Sequence, residues 1–265
     1  MDLGIIKRVI ILSAAAAVAA APALGGDLKI TVVYDNNECD ERLETAWGFA
    51  CVVEGFEKRI LFDTGGDGDV LLANMRALGY DAGDLDAIFL SHDHYDHVGG
   101  LARVLEANAD LTVFMPASFP ADFKEDVKGT GAAVVEVTAG RSICPGVYST
   151  GEMGTSIVEQ ALVARTPRGL VVITGCAHPG IVDVVARVRE ASGDDVHLVM
   201  GGFHLRDAAD AALRSVAASF REMGVRHIGP CHCSGDRARE VFAREFGARY
   251  VEVGAGTMLV PADLE

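Results

Sequence analysis

The spacing of apolar residues changes repeatedly along this chain, and each change marks an expected strand or helix. Short β-branched runs at Lys29 to Tyr34, Phe49 to Val53 and Arg59 to Phe62, parted by Gly, Asn and Asp, predict a strand-rich beginning. From Asp69 to Leu78 apolar residues recur at helical spacing, with Asp69 near the start and Gly79 just past the end, which predicts a helix. Ala87 to Leu90 follows as a strand. Leu111 to Met115, Ala133 to Val137 and Ile157 to Ala164 predict further strands around a stretch punctuated by Gly and Pro. The second half alternates regularly: strands at Leu170 to Thr174, Val196 to Met200 and His227 to Gly229, each followed by a helical pattern at Ile181 to Ala191, Ala208 to Met223 and Asp236 to Phe246. Sheets covered by helices are the expected result.

The polar residues that interrupt this pattern fall where strands end. Ser91-His92, Gly175-Cys176-Ala177-His178, Gly202-Phe203-His204 and Cys231-His232 each follow the carboxyl end of an apolar strand. Loops in such positions sit on a rigid scaffold and can converge on one pocket. The densest segment runs from Leu90 to Gly100, where His92, His94, Asp96 and His97 set four potential ligands in six positions. His92 and His94 alternate on an extended loop and point to one side, while Asp96 and His97 lie where a helix begins. Imidazole and carboxylate are zinc ligands, and donors this crowded do not all turn onto one tetrahedral ion. Two divalent ions are therefore expected, zinc first, with iron or manganese suited to the same donors. His197 and His227 stand within strands, outside any such cluster, and read as ordinary strand residues.

Composition narrows the picture. With 265 residues, 50% of them hydrophobic, the chain suffices for one large domain, and no polar linker divides it. Lys7 and Arg8 precede the apolar run Val9 to Ala20, and Ala21-Pro22-Ala23 offers a cleavage point. This predicts a signal peptide over residues 1–23 and a mature domain over 24–265, exported to the periplasm or beyond. The run is shorter than the ~20 residues a membrane span needs, so no stable membrane partner is expected after cleavage. Acidic residues number 38 against 23 basic ones, and no basic run is visible. That balance excludes a phosphodiester polymer and favours a small-molecule substrate. Of the six cysteines, Cys39 with Cys51 is the expected disulfide in an exported chain, whereas Cys231 and Cys233 stand too close together for the usual geometry.

His92 to His97 spell His-x-His-x-Asp-His, and in this the chain resembles the metallo-β-lactamase superfamily. Phe62-Asp63-Thr64-Gly65 is similar to the family's earlier strand-end aspartate motif, and Cys231-His232-Cys233-Ser234-Gly235 to its last metal motif. Val33-Tyr34-Asp35-Asn36-Asn37, the stretch Ile173 to Ile181, Gly201-Gly202-Phe203-His204-Leu205 and Pro230-Cys231-His232-Cys233 resemble one branch more closely. That branch is named for 7,8-dihydropterin-6-methyl-4-(β-D-ribofuranosyl)aminobenzene 5′-phosphate synthase. The resemblance implies an α/β fold, a four-layer αββα sandwich with the site along one edge of its two sheets. It further implies that His92, His94 and His178 bind one metal, that Asp96, His97 and His232 bind the other, and that Asp63 supports the metal loop. Asp63 would also serve to cap the helix after its Gly-rich turn. Where many members carry a bridging aspartate, this sequence offers Cys176 or His204, and Cys176 reads equally as a buried, inert thiol.

Two ions in such a site point to hydrolysis of a small ester, phosphoester or amide through a metal-bound hydroxide, with Asp96 and His204 as catalytic candidates. A closed structural zinc site would use four ligands, and the surplus here argues against a purely structural role. Synthase-type transfer on a phosphorylated ribosyl or pterin-like substrate, and iron-dependent redox chemistry, are the alternatives. Gly65-Gly66-Asp67-Gly68 lacks the lysine of a phosphate-binding loop and reads as a turn.

Overall fold

In the structure, a computed structural model that describes residues 28–265, the strands form two sheets. The expected leader and cleavage site lie outside these residues. The first sheet holds β1 (Lys29–Asp35), β2 (Phe49–Glu54), β3 (Ile60–Phe62), β4 (Ala87–Phe89), β5 (Thr112–Pro116) and β6 (Ala133–Val137). The second holds β7 (Ala139–Cys144), β8 (Val147–Gly151), β9 (Leu162–Thr166), β10 (Gly169–Thr174), β11 (Val196–Gly202) and β12 (His227–Cys231). A last short strand, β13 (Met258–Leu259), returns to the outer edge of the first sheet beside β1. The resulting orders are β13-β1-β2-β3-β4-β5-β6 and β12-β11-β10-β9-β8-β7.

Alternation along the strands builds three apolar layers. One face of each sheet meets the other through Ile30, Val32, Phe49, Phe62 and Phe89 against Leu162, Val171, Ile173, Leu198 and Met200, all buried. Val52, Leu61, Ile88 and Val113, on the opposite face of the first sheet, bury against α1 (Gly68–Ala77), α3 (Leu101–Ala107) and α4 (Ala121–Gly129). Val163, Val172 and Val199 do the same for the second sheet against α5 (Ile181–Ser192), α6 (Asp210–Glu222) and α7 (Asp236–Phe246). The short α2 (Tyr95–Val98) belongs to the loop after β4. The architecture is the expected αββα sandwich. Strands β3 to β6 are parallel to one another, as are β10 to β12, so the carboxyl ends of β3, β4, β10, β11 and β12 bring their loops to one edge.

Several expectations need correction. The strand expected over Ile157 to Ala164 begins only at Leu162; before it Glu159 makes an isolated bridge to Met153, and the Glu159 and Gln160 side chains bind loops of the site. The hairpin β7–β8 and the helix α4 were not expected. Strand β7 is mostly exposed on the sheet edge and shows no apolar alternation to read. All six cysteines are free. Cys51 faces the core between the sheets on β2, while Cys39 is exposed on a loop beside Gly254, so the expected disulfide does not form. The cap of α1 is Asp67, whose carboxylate accepts from the backbone N–H groups of Asp69 and Val70. Asp63 is thereby left for another task.

Candidate metal centre

Five loops at the shared edge meet around a cluster of imidazoles. His92, His94 and His178 present ligand atoms that all lie within 4.8 Å of one another, and so do Asp96, His97 and His232. The rings of His92 and His97, one from each triad, have centroids 4.2 Å apart, so the triads adjoin. His92, His97 and His232 are buried, while His94, Asp96 and His178 are half-buried toward the mouth.

Three of the imidazoles are held by one nitrogen with the other aimed inward. Asp63 Oδ2 lies 2.7 Å from His97 Nδ1, and the same carboxylate accepts from the backbone N–H and the hydroxyl of Ser91. Ser91 Oγ in turn is 2.9 Å from His92 Nδ1. Asn36, from the loop after β1, places Oδ1 at 2.9 Å from His232 Nδ1. The Nε2 atoms of His92, His178 and His232 are buried and have no hydrogen-bond partner. An unpartnered buried nitrogen is costly, and several converging on one basin are the arrangement that divalent cations satisfy. The residues present therefore fit a two-ion centre.

Electrostatics agree. Burial, reinforced by the surrounding imidazoles, holds His92 well below the usual histidine range and pushes His178 down to about 4, so both rings are neutral at pH 7, the form that can bind a metal. Burial also opposes charge on His97, but the Asp63 carboxylate outweighs it and raises that ring. For Asp96, burial alone would raise the carboxyl; the close imidazoles of His232 and His97 prevail and hold it well below the usual carboxylate range. The His232 Nε2 to Asp96 Oδ2 distance is 3.2 Å.

The third-motif loop is carried by a residue that sequence reasoning missed. Glu159 Oε1 accepts from the backbone N–H groups of Gly175, Cys176 and Ala177, and its Oε2 from that of His178, at 2.8 to 3.1 Å. A lone glutamate in an apolar run gives no signal of this. Gly175 is required where it stands: a Cβ there would meet Ser91 Oγ at 2.1 Å and Asp63 Oδ2 at 2.9 Å. Four non-glycine residues have positive φ, namely Asp63, Ala177, His204 and His232, and every one follows a strand at this edge. Such backbone costs about 1–3 kcal/mol per residue and gathers where surrounding structure holds a site in place.

His204 lies at the rim and is exposed, its ring 4.4 Å from that of His178, and a hydrogen bond with Cys233 raises its pKa. It shares a possible ligand set with His178 and Cys176 but not with the second triad. His197 and His227 are remote from the site and bind the carbonyls of Pro261 and Glu265, as befits strand residues. The mouth also carries Trp47, whose ring is 4.7 Å from that of His232, with the Arg206 guanidinium 5.0 Å from the Trp47 ring centroid. Trp47 and Tyr95 are two of the three exposed large hydrophobic residues among those described. Neither Trp47 nor Arg206 was singled out from the sequence, for lone residues on separate loops carry no spacing.

An αββα sandwich with histidines and an aspartate gathered at the strand ends defines a class, and the profile of the metallo-β-lactamase superfamily matches residues 48–190. The chain belongs to that superfamily. It is 30% identical over 250 residues to the 7,8-dihydropterin-6-methyl-4-(β-D-ribofuranosyl)-aminobenzene-5′-phosphate synthase of Methanocaldococcus jannaschii, covering 77% of this chain and 85% of the relative. Among solved structures it is similar to Tm1679, described as a metal-dependent hydrolase of the β-lactamase superfamily, with a TM-score of 0.75, 29% identity and coverage of 88% of this chain and 98% of the other. YhfI of Bacillus subtilis, at 15% identity, a TM-score of 0.67 and coverage of 88% and 99%, shares the fold.

Proposed function

We propose that this chain is a dinuclear metal-dependent hydrolase acting on a small ester, phosphoester or amide. The observation that carries the reading is the pair of adjoining triads, with unpartnered Nε2 atoms turned into one basin. When bound there, two divalent ions supply Lewis acidity and a water that ionises near neutral pH. The chain's own residues do the rest. Asp63, Ser91 and Asn36 fix the rings that surround the reacting centre, and Asp96, ionised at the mouth, orients the attacking water through its free oxygen. His204, at the rim beside His178, is placed to return a proton to the leaving group.

Arg206 over Trp47 favours an anionic or planar substituent on the substrate, and that observation supports a second reading. In it, the site performs transfer chemistry on a phosphorylated ribosyl or pterin-like compound, as the name of the methanogen relative suggests. Metal analysis of protein purified without added metal, paired with a screen of phosphoesters, lactones, β-lactams and thioesters, separates the two. About two zinc ions per chain with turnover of an ester supports hydrolysis. No hydrolysis of any member, with consumption of a phosphorylated aromatic only when an acceptor is supplied, supports transfer. One iron with oxygen consumption would overturn both.

Asp63→Asn keeps the shape of the carboxylate but loses its charge beneath His97. Divalent-ion affinity is expected to fall by roughly 10–100-fold with the fold retained, measured by chelator competition beside far-ultraviolet circular dichroism. Export is part of the same proposal, supported by Lys7, Arg8 and the Ala21-Pro22-Ala23 site. The intact mass of the product should place the mature N-terminus near Leu24, and an uncleaved soluble product would remove that assignment.

A further inference from the structure

Sequence alone left Cys176 and His204 as alternatives for one more metal ligand, and the geometry of the edge separates them. The Cys176 Sγ falls within 4.8 Å of ligand atoms from His92 and His97 in one set, His178 and His204 in a second, and His232 and Cys233 in a third. It is therefore near two donors of the first triad, His92 and His178, and two of the second, His97 and His232. His204 reaches only the first side and stands in solvent. Cys233, grouped with Cys176 and His232, reaches only the second.

The thiol is also aimed and fixed. Its sulfur is 3.2 Å from His97 Nε2, while the other nitrogen of that ring faces Asp63 at 2.7 Å. Zinc bonds of about 2.3 Å to sulfur and about 2.0 Å to nitrogen place two ligands of one tetrahedral ion about 3.5 Å apart, close to that separation. The Cys176 backbone N–H donates to Glu159 at 2.9 Å, the positive φ of Ala177 turns the chain just beyond, and the side chain is 3% exposed. A buried thiol close to His97 Nε2 and to the unpartnered Nε2 atoms of His92, His178 and His232 is not idle packing.

We propose that Cys176, whose sulfur lies between the two triads, is a further donor to this centre and that its thiolate would bridge the two ions, while His204 stays outside the ligand set. The inference rests on the reading that both triads hold metal. Were metal bound, the thiol S–H proton would leave to solvent and the sulfur would have an electron pair to offer each ion. A sulfur ligand common to both positions makes the centre soft, so it selects zinc over manganese or magnesium.

Cobalt(II) titration tests this without any assay of turnover. Wild-type protein should show a thiolate-to-cobalt charge-transfer band in the near ultraviolet beside the visible ligand-field bands. Cys176→Ser should lose the charge-transfer band and bind cobalt at least about tenfold more weakly. Cys176→Asp should recover most of the affinity without the band, and Cys233→Ser should leave the band in place. Circular dichroism of each metal-free variant controls for folding. If wild type binds two cobalt ions without a thiolate band, or if the band follows Cys233 rather than Cys176, the bridge is wrong and the two-ion centre stands. If cobalt fails to bind, or binds unchanged in His92→Ala and His232→Ala, the two-ion reading itself falls.

Discussion

His92→Ala and His232→Ala are each expected to lower turnover by roughly a thousandfold or more, while depleting different ions. The size follows from the several kcal/mol of charge stabilisation that a bound cation contributes, at 1.36 kcal/mol per factor of ten in rate. The distinction between the two follows from the structure, since His92 belongs with His94 and His178, and His232 with Asp96 and His97. Neither change should unfold the protein. Both rings lie at strand ends rather than in the apolar layers, and truncation removes a buried imidazole whose inward nitrogen has no partner. Metal content by mass spectrometry, read beside kcat, checks the assignment: full occupancy with full turnover in both variants would refute it.

Glu159→Gln is expected to lower the melting temperature by about 10 °C and to weaken binding at His178. Burial raises the Glu159 carboxyl, while the backbone N–H groups of residues 175–178 that donate to it pull the other way and favour the ionised form. A glutamine keeps one oxygen and turns an amide NH₂ against N–H groups, so charge-assisted bonds are lost and donors face donors. At about 1.5–3 kcal/mol for hydrogen bonds to a charged group, and 2–4 °C per kcal/mol in a domain this large, the shift follows. Calorimetry of the metal-free protein isolates the structural part. A transition within 2 °C or so of wild type would show that the loop holds itself.

These two predictions mark the boundary of what the sequence could reveal. His92, His94, Asp96 and His97 declare themselves because metal chemistry confines donor types to a short spacing, and His178 and His232 because their strand ends carry recognisable motifs. Asp63 was legible as support for the loop, yet its alternative as helix cap had to be set aside once Asp67 took that place. Glu159 was illegible for a physical reason: its role depends on the loop after β10, 16 to 19 residues further on, folding back over it, and its neighbours Ile157 to Ala164 carry a pattern that also suits a plain strand. The hairpin β7–β8 escaped notice because an exposed edge strand needs no apolar alternation. Asn36 lay inside a quoted motif, but nothing in its local sequence tells that it reaches the His232 ring 196 residues away.

Each triad takes two donors from the loop after β4 and the third from the second sheet, through His178 or His232. An ion in either position would act as a cross-link between halves of the chain that share no strand ladder at this edge. Like any tie that closes a long loop, it would restrict the unfolded ensemble as well as hold the folded one, and mass action would make its contribution rise with the free ion concentration. Amide exchange should then record two tiers of protection. Loops bearing ligands would open readily in metal-free protein and close together when metal is restored, while the strands beneath them keep the same slow exchange throughout.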